Sequence, residues 1–321
     1  MESPEILPQK NGPQRGATIS RRNFVRTLAA VSAAAPARLS WTGQVFGAEN
    51  SSRTPVGSNI YGWGQYYQRM GKNVGEHLDE VLSALRDADY DYLEAFVDSN
   101  QPDKNAELAE RTKAKGLKPV CLYTGGRLHE PGRWEPVVEK LLAAARVCHK
   151  AGFSIIDCNP DPIGREKTGE ELKAQALALA AFGKGLREMG MKLGVHNHTP
   201  EMVNNAREFH HNFRQTDPKD VGFCFDVHWV FRGGVKPLEA LDAYGARVVS
   251  WHLRQSRNGT WHEILEDGDI DYKAVAQRAA ELKLQAPYTV ELAIEPGTKI
   301  TRTVVENHRL SREFVRKVFA V

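Results

Sequence analysis

The chain has 321 residues, 41% of them hydrophobic and 26% charged, which is enough to bury a large core. Formal net charge is +3, but residues 1–50 hold six of the 43 basic and three of the 40 acidic residues, so the remainder carries 37 of each sign. A neutral body argues against a nucleic-acid or anionic-membrane surface, and four scattered cysteines without a CxxC pair read as buried free thiols rather than a disulfide frame or zinc knot.

The first segment, SRRNFVRTLAAVSAAAPARLSW at 20–41, has paired arginines, a phenylalanine and a modest alanine-rich run. It resembles a twin-arginine export signal, whose Arg-Arg is read by a receptor and whose apolar region is too short to span a bilayer. The expectation is a leader over 1–50 that engages the Tat export machinery, with a body over 51–321 delivered folded to the periplasm or the exterior.

From residue 59 onward short apolar runs alternate with amphipathic stretches. NIYGW (59–63) precedes GEHLDEVLSALRDA; YDYLEAFV (90–97) precedes DKNAELAERTKAKG; KPVCLYT (118–124) precedes RWEPVVEKLLAAARVCHKAG. SIIDCNP (154–160) precedes EELKAQALALAAFGKGLREMG, KLGVHNH (192–198) precedes NNAREFHHNFRQT, and VGFCFDVHW (221–229) precedes KPLEALDAYG. RVVSWHLR (247–254) precedes DYKAVAQRAAELK, and YTVELA (288–293) precedes TRTVVENHRLSREFVRKVF. Eight strand–helix units predict a parallel sheet closed into a single-domain (β/α)8 TIM barrel. In LEDGDIDY, Asp269 or Asp271 is the expected N-cap of the seventh helix, and His210–Asn212 read as a solvated helix face.

Barrel enzymes place their chemistry at the C-terminal ends of the strands. Strand five ends in His196 and His198, strand six in Asp226 and His228, strand seven in His252 and Arg254, and strand eight in Glu291. Each pair is two residues apart, so strand geometry puts both members on one face. A single histidine at a strand end is more often structural, but recurrence on four neighbouring strands points to a shared cation, because crowded ionisable groups are costly without one. A His, Asp, His, Glu set suits one divalent ion of Mn, Co, Zn, Fe or Mg and leaves positions open for substrate. Trp63, Trp229, Trp251 and Trp261 lie near the same ends or loops, where a ring face suits a sugar.

GVHNHTPEM, FDVHWVFRGGVKPLEAL, WHLRQSRNGTWHEILEDGDIDY and VELAIEPGTKITRTVVENHRLSREF together resemble the xylose-isomerase-like TIM-barrel superfamily, in its sugar phosphate isomerase/epimerase branch. The resemblance implies a metal held by Asp226, His252 and Glu291, with His196 where many epimerases have a glutamate that is both ligand and base. It also implies proton transfer by Glu291, His196 or His198, and substrate contacts from Glu94, His228, Arg254 and Trp63. The implied activity is metal-dependent isomerisation or epimerisation of a carbohydrate by proton abstraction next to a carbonyl, through an enediolate. The alternatives are a lyase or hydratase acting on oxidised (3-keto) sugars or glycosides, and a sugar-binding barrel without turnover. Export favours an unphosphorylated carbohydrate. No nucleic acid and no membrane span are expected, and the sequence leaves the oligomeric state open.

Overall fold

The computed structural model describes residues 53–321; the twin-arginine segment lies outside them. Eight parallel strands close a barrel: β1 Val56–Asn59, β2 Tyr92–Phe96, β3 Cys121–Gly126, β4 Ile155–Pro160, β5 Lys192–Val195, β6 Gly222–Asp226, β7 Val248–Leu253 and, after a hairpin, β10 Tyr288–Val290. Each strand pairs with its sequence neighbours in the barrel, and β10 closes the ring on β1 through Val56 opposite Tyr288 and Ser58 opposite Val290. The helices are α1 Ile60–Arg69, α2 Leu78–Asp87, α3 Asp103–Ala114, α4 Glu135–Ala151, α5 Gly169–Glu188, α6 Thr199–Arg214, α7 Val227–Arg232, α8 Pro237–Tyr244, α9 Tyr272–Glu281 and α10 Val304–Phe319. The barrel predicted from periodicity is therefore the fold. No described helix is long and apolar enough to cross a membrane.

Alternation along the strands separates two environments. In β6 the rings of Phe223 and Phe225 join an aromatic layer with Phe209 and Phe213 of α6 and with Trp251 of β7. Cys224 and Asp226, in between, turn to the barrel interior, where Asp226 meets His196. Trp251 also packs on Tyr288 and Phe319, so it belongs to the helix-facing layer and not to the mouth. Two glycines keep the interior closed. A Cβ on Gly57 would lie 2.3 Å from the Tyr92 ring, and one on Gly194 would lie 1.9 Å from Asp157 Oδ1.

The first unit differs from the sequence reading. The strand is VGSN rather than NIYGW, and α1 starts at Ile60 because the Asn59 side chain accepts from the N–H of Tyr61 as an N-cap. Trp63 is consequently a helical residue. Its indole N–H donates to Ser58 Oγ at 3.1 Å and its ring stacks on His308 at 4.2 Å, between the barrel wall and α10. Trp63 is 1% exposed and is thus a packing residue, not the substrate contact expected of it.

Three smaller findings concern the loops. Helix α6 is two pieces joined by an extended Val203 and by Asn204, Asn205 and Ala206 with φ of 52°, 55° and 56°, a left-handed run that asparagine tolerates better than alanine does. Asn212 is buried and accepts from Gln175 at 2.8 Å, so the HHN stretch is not wholly solvated. A two-stranded hairpin, β8 Ser256–Arg257 and β9 Thr260–Trp261, follows β7 and turns at Asn258-Gly259, both at positive φ. Asp271 caps α9, whereas Asp269 accepts from Ser256 Oγ and from the N–H groups of Asn258 and Gly259, which fixes the hairpin. All four cysteines are free and buried.

Candidate metal centre

Four side chains from four consecutive strand ends meet in the barrel mouth. His196 follows β5, Asp226 ends β6, His252 lies in β7 and Glu291 follows β10. One ligand atom from each lies within 4.8 Å of the others. All four are buried, the most accessible being Glu291 at 5%. His196 Nε2 is 3.2 Å from Asp226 Oδ2, and His252 Nδ1 is 3.0 Å from Glu291 Oε2 and 4.0 Å from Asp226 Oδ2. Donor atoms about 2.0–2.2 Å from a tetrahedral ion stand roughly 3.3–3.6 Å from one another, so a shared ion would need the closer pairs here to open slightly and the wider ones to close.

The fold fixes these groups through backbone chemistry. Asp226 is both the end of β6 and the N-cap of α7, where Oδ1 accepts from the N–H of Trp229 at 2.8 Å. Oδ2 is thereby left toward the cluster. His196 has its other nitrogen, Nδ1, 3.1 Å from Asn159 Oδ1, and the Asn159 amide nitrogen donates to Pro160 O and Glu201, which sets the amide orientation.

A fifth charged group completes the centre. Arg254 Nη2 is 3.3 Å from Asp226 Oδ2 and 3.2 Å from Glu291 Oε2, and its guanidinium lies 4.2 Å over Trp261 and 5.4 Å from Trp229. Although burial pushes Glu291 upward, Arg254 and His252 hold its carboxyl well below the usual range. Burial likewise opposes ionisation of Asp226, which His196 and Arg254 nevertheless keep low. The imidazoles diverge. Burial holds His196 below its ordinary value, whereas His252 stands well above it despite burial because Cys224, Glu94 and Glu291 surround it.

The remaining expected site residues are distributed unevenly. His198 lies past the end of β5, at the N-cap of α6, where its N–H donates to Glu201 at 2.6 Å; its half-buried ring is 4.6 Å from that of His196 and 5.4 Å from Trp229. His228 sits in α7, packed edge-on against Trp229, Phe231 and Trp261, and neither ring nitrogen has a partner among the described residues. The two-residue spacing keeps His252 and Arg254 on one face. His198 lies in the extended N-cap of α6, with its ring beside that of His196, whereas His228 lies within α7, past the end of β6, and turns in a helical direction. Glu94 is inside the barrel but outside the four-residue group, with its oxygens taken by Asn59, Cys121 and His252.

Asn159 and the hairpin were missed by sequence reasoning. The Asn-Gly pair between RQS and TW was a hairpin signal, and the hairpin brings Trp261 against Arg254 while Glu295 accepts the Trp261 N–H and pairs with Arg232. Interior charge continues past the ligands. Asp157 accepts from Ser250 Oγ at 2.6 Å and Cys121 Sγ at 3.2 Å, and burial together with Glu94 pushes it up to about 7.

The model of the xylose isomerase-like TIM barrel family matches residues 82–316, in accord with the closed parallel barrel; the chain belongs to that family. Among curated proteins it is 25% identical over 285 residues to an inosose dehydratase of Geobacillus kaustophilus, covering 76% of this chain and 89% of the relative. A second inosose dehydratase, from Clostridium tetani, is 28% identical over 172 residues, 47% of this chain and 58% of that protein. Among solved structures, a sugar phosphate isomerase/epimerase from Parabacteroides distasonis has the same fold with a TM-score of 0.68 at 19% identity, covering 84% of this chain and 96% of that one. The IolI protein with a bound zinc atom superposes with a TM-score of 0.64 at 17% identity, over 83% of this chain and 98% of that one.

Proposed function

We propose that the protein is a divalent-metal-dependent carbohydrate enzyme that removes a proton from the carbon beside a carbonyl, with His196, Asp226, His252 and Glu291 as metal ligands. The observation that carries this reading is the convergence of those four donor atoms within 4.8 Å in a barrel mouth. The zinc of the IolI neighbour supports it. The donor set lacks sulfur and mixes imidazole with carboxylate, which suits Zn, Mn, Co, Fe or Mg and disfavours soft Cu(I). When bound, the ion supplies positive charge beside the oxygen on which negative charge develops.

The chain's own groups then divide the work. Glu291 and Asp226, held ionised by Arg254 and imidazole, are weak bases suited to ligation. His198 is adjacent to the ligand His196 but outside the four-residue group, and is assigned proton removal as a histidine, the side chain most often used as general base. Arg254, His228 and the Trp229–Trp261 wall line the same mouth and bind the sugar. Proton return on the neighbouring carbon is isomerisation, and on the opposite face it is epimerisation. A third outcome, loss of a β-substituent, is favoured by the inosose dehydratase relatives and by His196 standing in place of a second carboxylate base. The leader reading supports an exported enzyme and therefore an unphosphorylated sugar, keto sugar or glycoside. Replacing Arg21 and Arg22 by lysine is expected to retain the protein in the cytoplasm.

The test is metal-loaded protein incubated in D₂O with a panel of keto sugars, inososes and glycosides, followed by NMR. Deuterium at the carbon beside the carbonyl is expected, with an unsaturated product if elimination follows. Absence of exchange on every member, with the metal in place, favours a sugar-binding barrel without turnover.

A further inference from the structure

The two histidines of the metal centre are supported differently. His196 presents Nε2 to the cluster and has its Nδ1 against the neutral amide oxygen of Asn159 at 3.1 Å. His252 presents Nδ1 to the cluster, and its Nε2 lies 2.9 Å from Glu94 Oε2 and 3.2 Å from Oε1. Glu94 is 0% exposed in β2 and is itself oriented by the Asn59 amide and by the Cys121 thiol at 3.4 Å. A carboxylate that accepts the N–H of one ring nitrogen fixes the tautomer, turns the opposite nitrogen to the metal and increases its basicity.

We infer that Glu94 is a positioning residue that holds the His252 imidazole by Nε2–H, so that Nδ1 completes the metal site. The inference rests on the metal reading above and assigns Glu94 a role other than substrate contact or base. Three features support it. The 158 residues between the partners make the contact a product of barrel closure, not of local sequence. Both Glu94 oxygens are occupied by donors from β1, β3 and β7, which leaves no oxygen to swing toward a substrate. Burial of a carboxylate is costly unless it is paired, and among the described residues the imidazole of His252 is the ionisable partner in contact with it. Asn159 provides the internal contrast: it orients His196 without adding charge.

The experiment uses Co²⁺ as the probe, because its visible spectrum reports ligand geometry, with the full chain as wild type, Glu94→Gln, Glu94→Leu and Asp226→Ala. Glu94→Gln keeps an acceptor but removes the charge, so Co²⁺ affinity is expected to fall about 10-fold with the spectrum retained. Glu94→Leu removes both, and a fall of about 100-fold with an altered spectrum is expected. The graded loss and the spectral change are readouts that a residue serving packing alone does not move. Should the leucine variant fail to fold, the glutamine variant decides alone. Wild-type affinity in Glu94→Gln, with Co²⁺ binding lost in Asp226→Ala, overturns the role of Glu94 and leaves the metal reading standing. Equal, negligible binding in wild type and Asp226→Ala overturns both.

Discussion

His308 and His228 are both buried imidazoles beside tryptophan, and burial drives both pKa values down, to about 4 and about 3. His308, on the face of α10 turned toward β1, stacks on Trp63 and has each nitrogen engaged, Nδ1 with Val304 O at 2.8 Å and Nε2 with Ser58 Oγ at 2.9 Å. His228, at the mouth, touches Trp229 and Trp261 with neither nitrogen engaged. Buried polar groups in folded proteins are almost always satisfied. The satisfied imidazole is a fixture of the shell, and the unsatisfied one, beside the four-residue cluster, is the one to which the proposed function assigns a hydroxyl of the sugar. The indoles do not follow this division: Trp63 spends its N–H on Ser58, but the indole nitrogens of both Trp261 at the mouth and Trp251 in the helix-facing layer have no partner among the described residues.

If the mouth and the shell differ in this way, the mouth fails chemically and the shell fails structurally. The largest effect is expected at Asp226→Ala. Divalent metal in the purified protein, read by elemental analysis, should drop to background and deuterium exchange should disappear, while unfolding of the metal-free protein loses only about 1–2 kcal/mol, the worth of the α7 N-cap. His308→Ala should do the reverse. Loss of the stacked ring and two buried hydrogen bonds costs about 2–4 kcal/mol in denaturant unfolding, with metal content unchanged. An equal loss of metal in that variant would dissolve the distinction.

Acid sensitivity sharpens it. Folded His308 stays neutral down to about pH 4, whereas the unfolded chain takes up that proton as pH falls below about 6.5. The unfolded state therefore binds more protons between these values, so the stability contribution is complete above about 6.5 and is lost as pH drops toward 4, by about 3 kcal/mol. His308→Asn should flatten this slope in unfolding measured across that window. The smallest effect belongs to His228→Phe. Removing an unsatisfied polar ring should change stability by less than about 1 kcal/mol and raise KM by about 10-fold, the worth of one hydrogen bond to substrate. A large stability loss with KM unchanged would make His228 a shell residue too.

The linear sequence carried the barrel and the meeting of its four strand-end groups because both are written in local periodicity. Alternating runs of strand and helix length leave few topologies, and ionisable residues recurred at the ends of four such runs, His196, Asp226, His252 and Glu291. It misplaced β1, because an apolar NIYGW resembles a strand as well as a helix start, and only the Asn59 cap decides between them. That error carried Trp63 to the mouth. The two-residue spacing misled at DVH for a related reason: β6 ends at Asp226, so His228 follows helical and not strand directions.

What only closure of the barrel decided is which distant groups meet. Glu94 reaches His252 across 158 residues, Arg254 bridges Asp226 and Glu291, and the hairpin sets Trp261 against Arg254. Sequence alone determined that strand-end imidazoles and carboxylates share one mouth, because period and length are properties of the chain. The orientation of each ring, and whether its second nitrogen finds a carboxylate, an amide or nothing, was left to tertiary structure, because hydrogen-bond direction depends on where neighbouring strands stop.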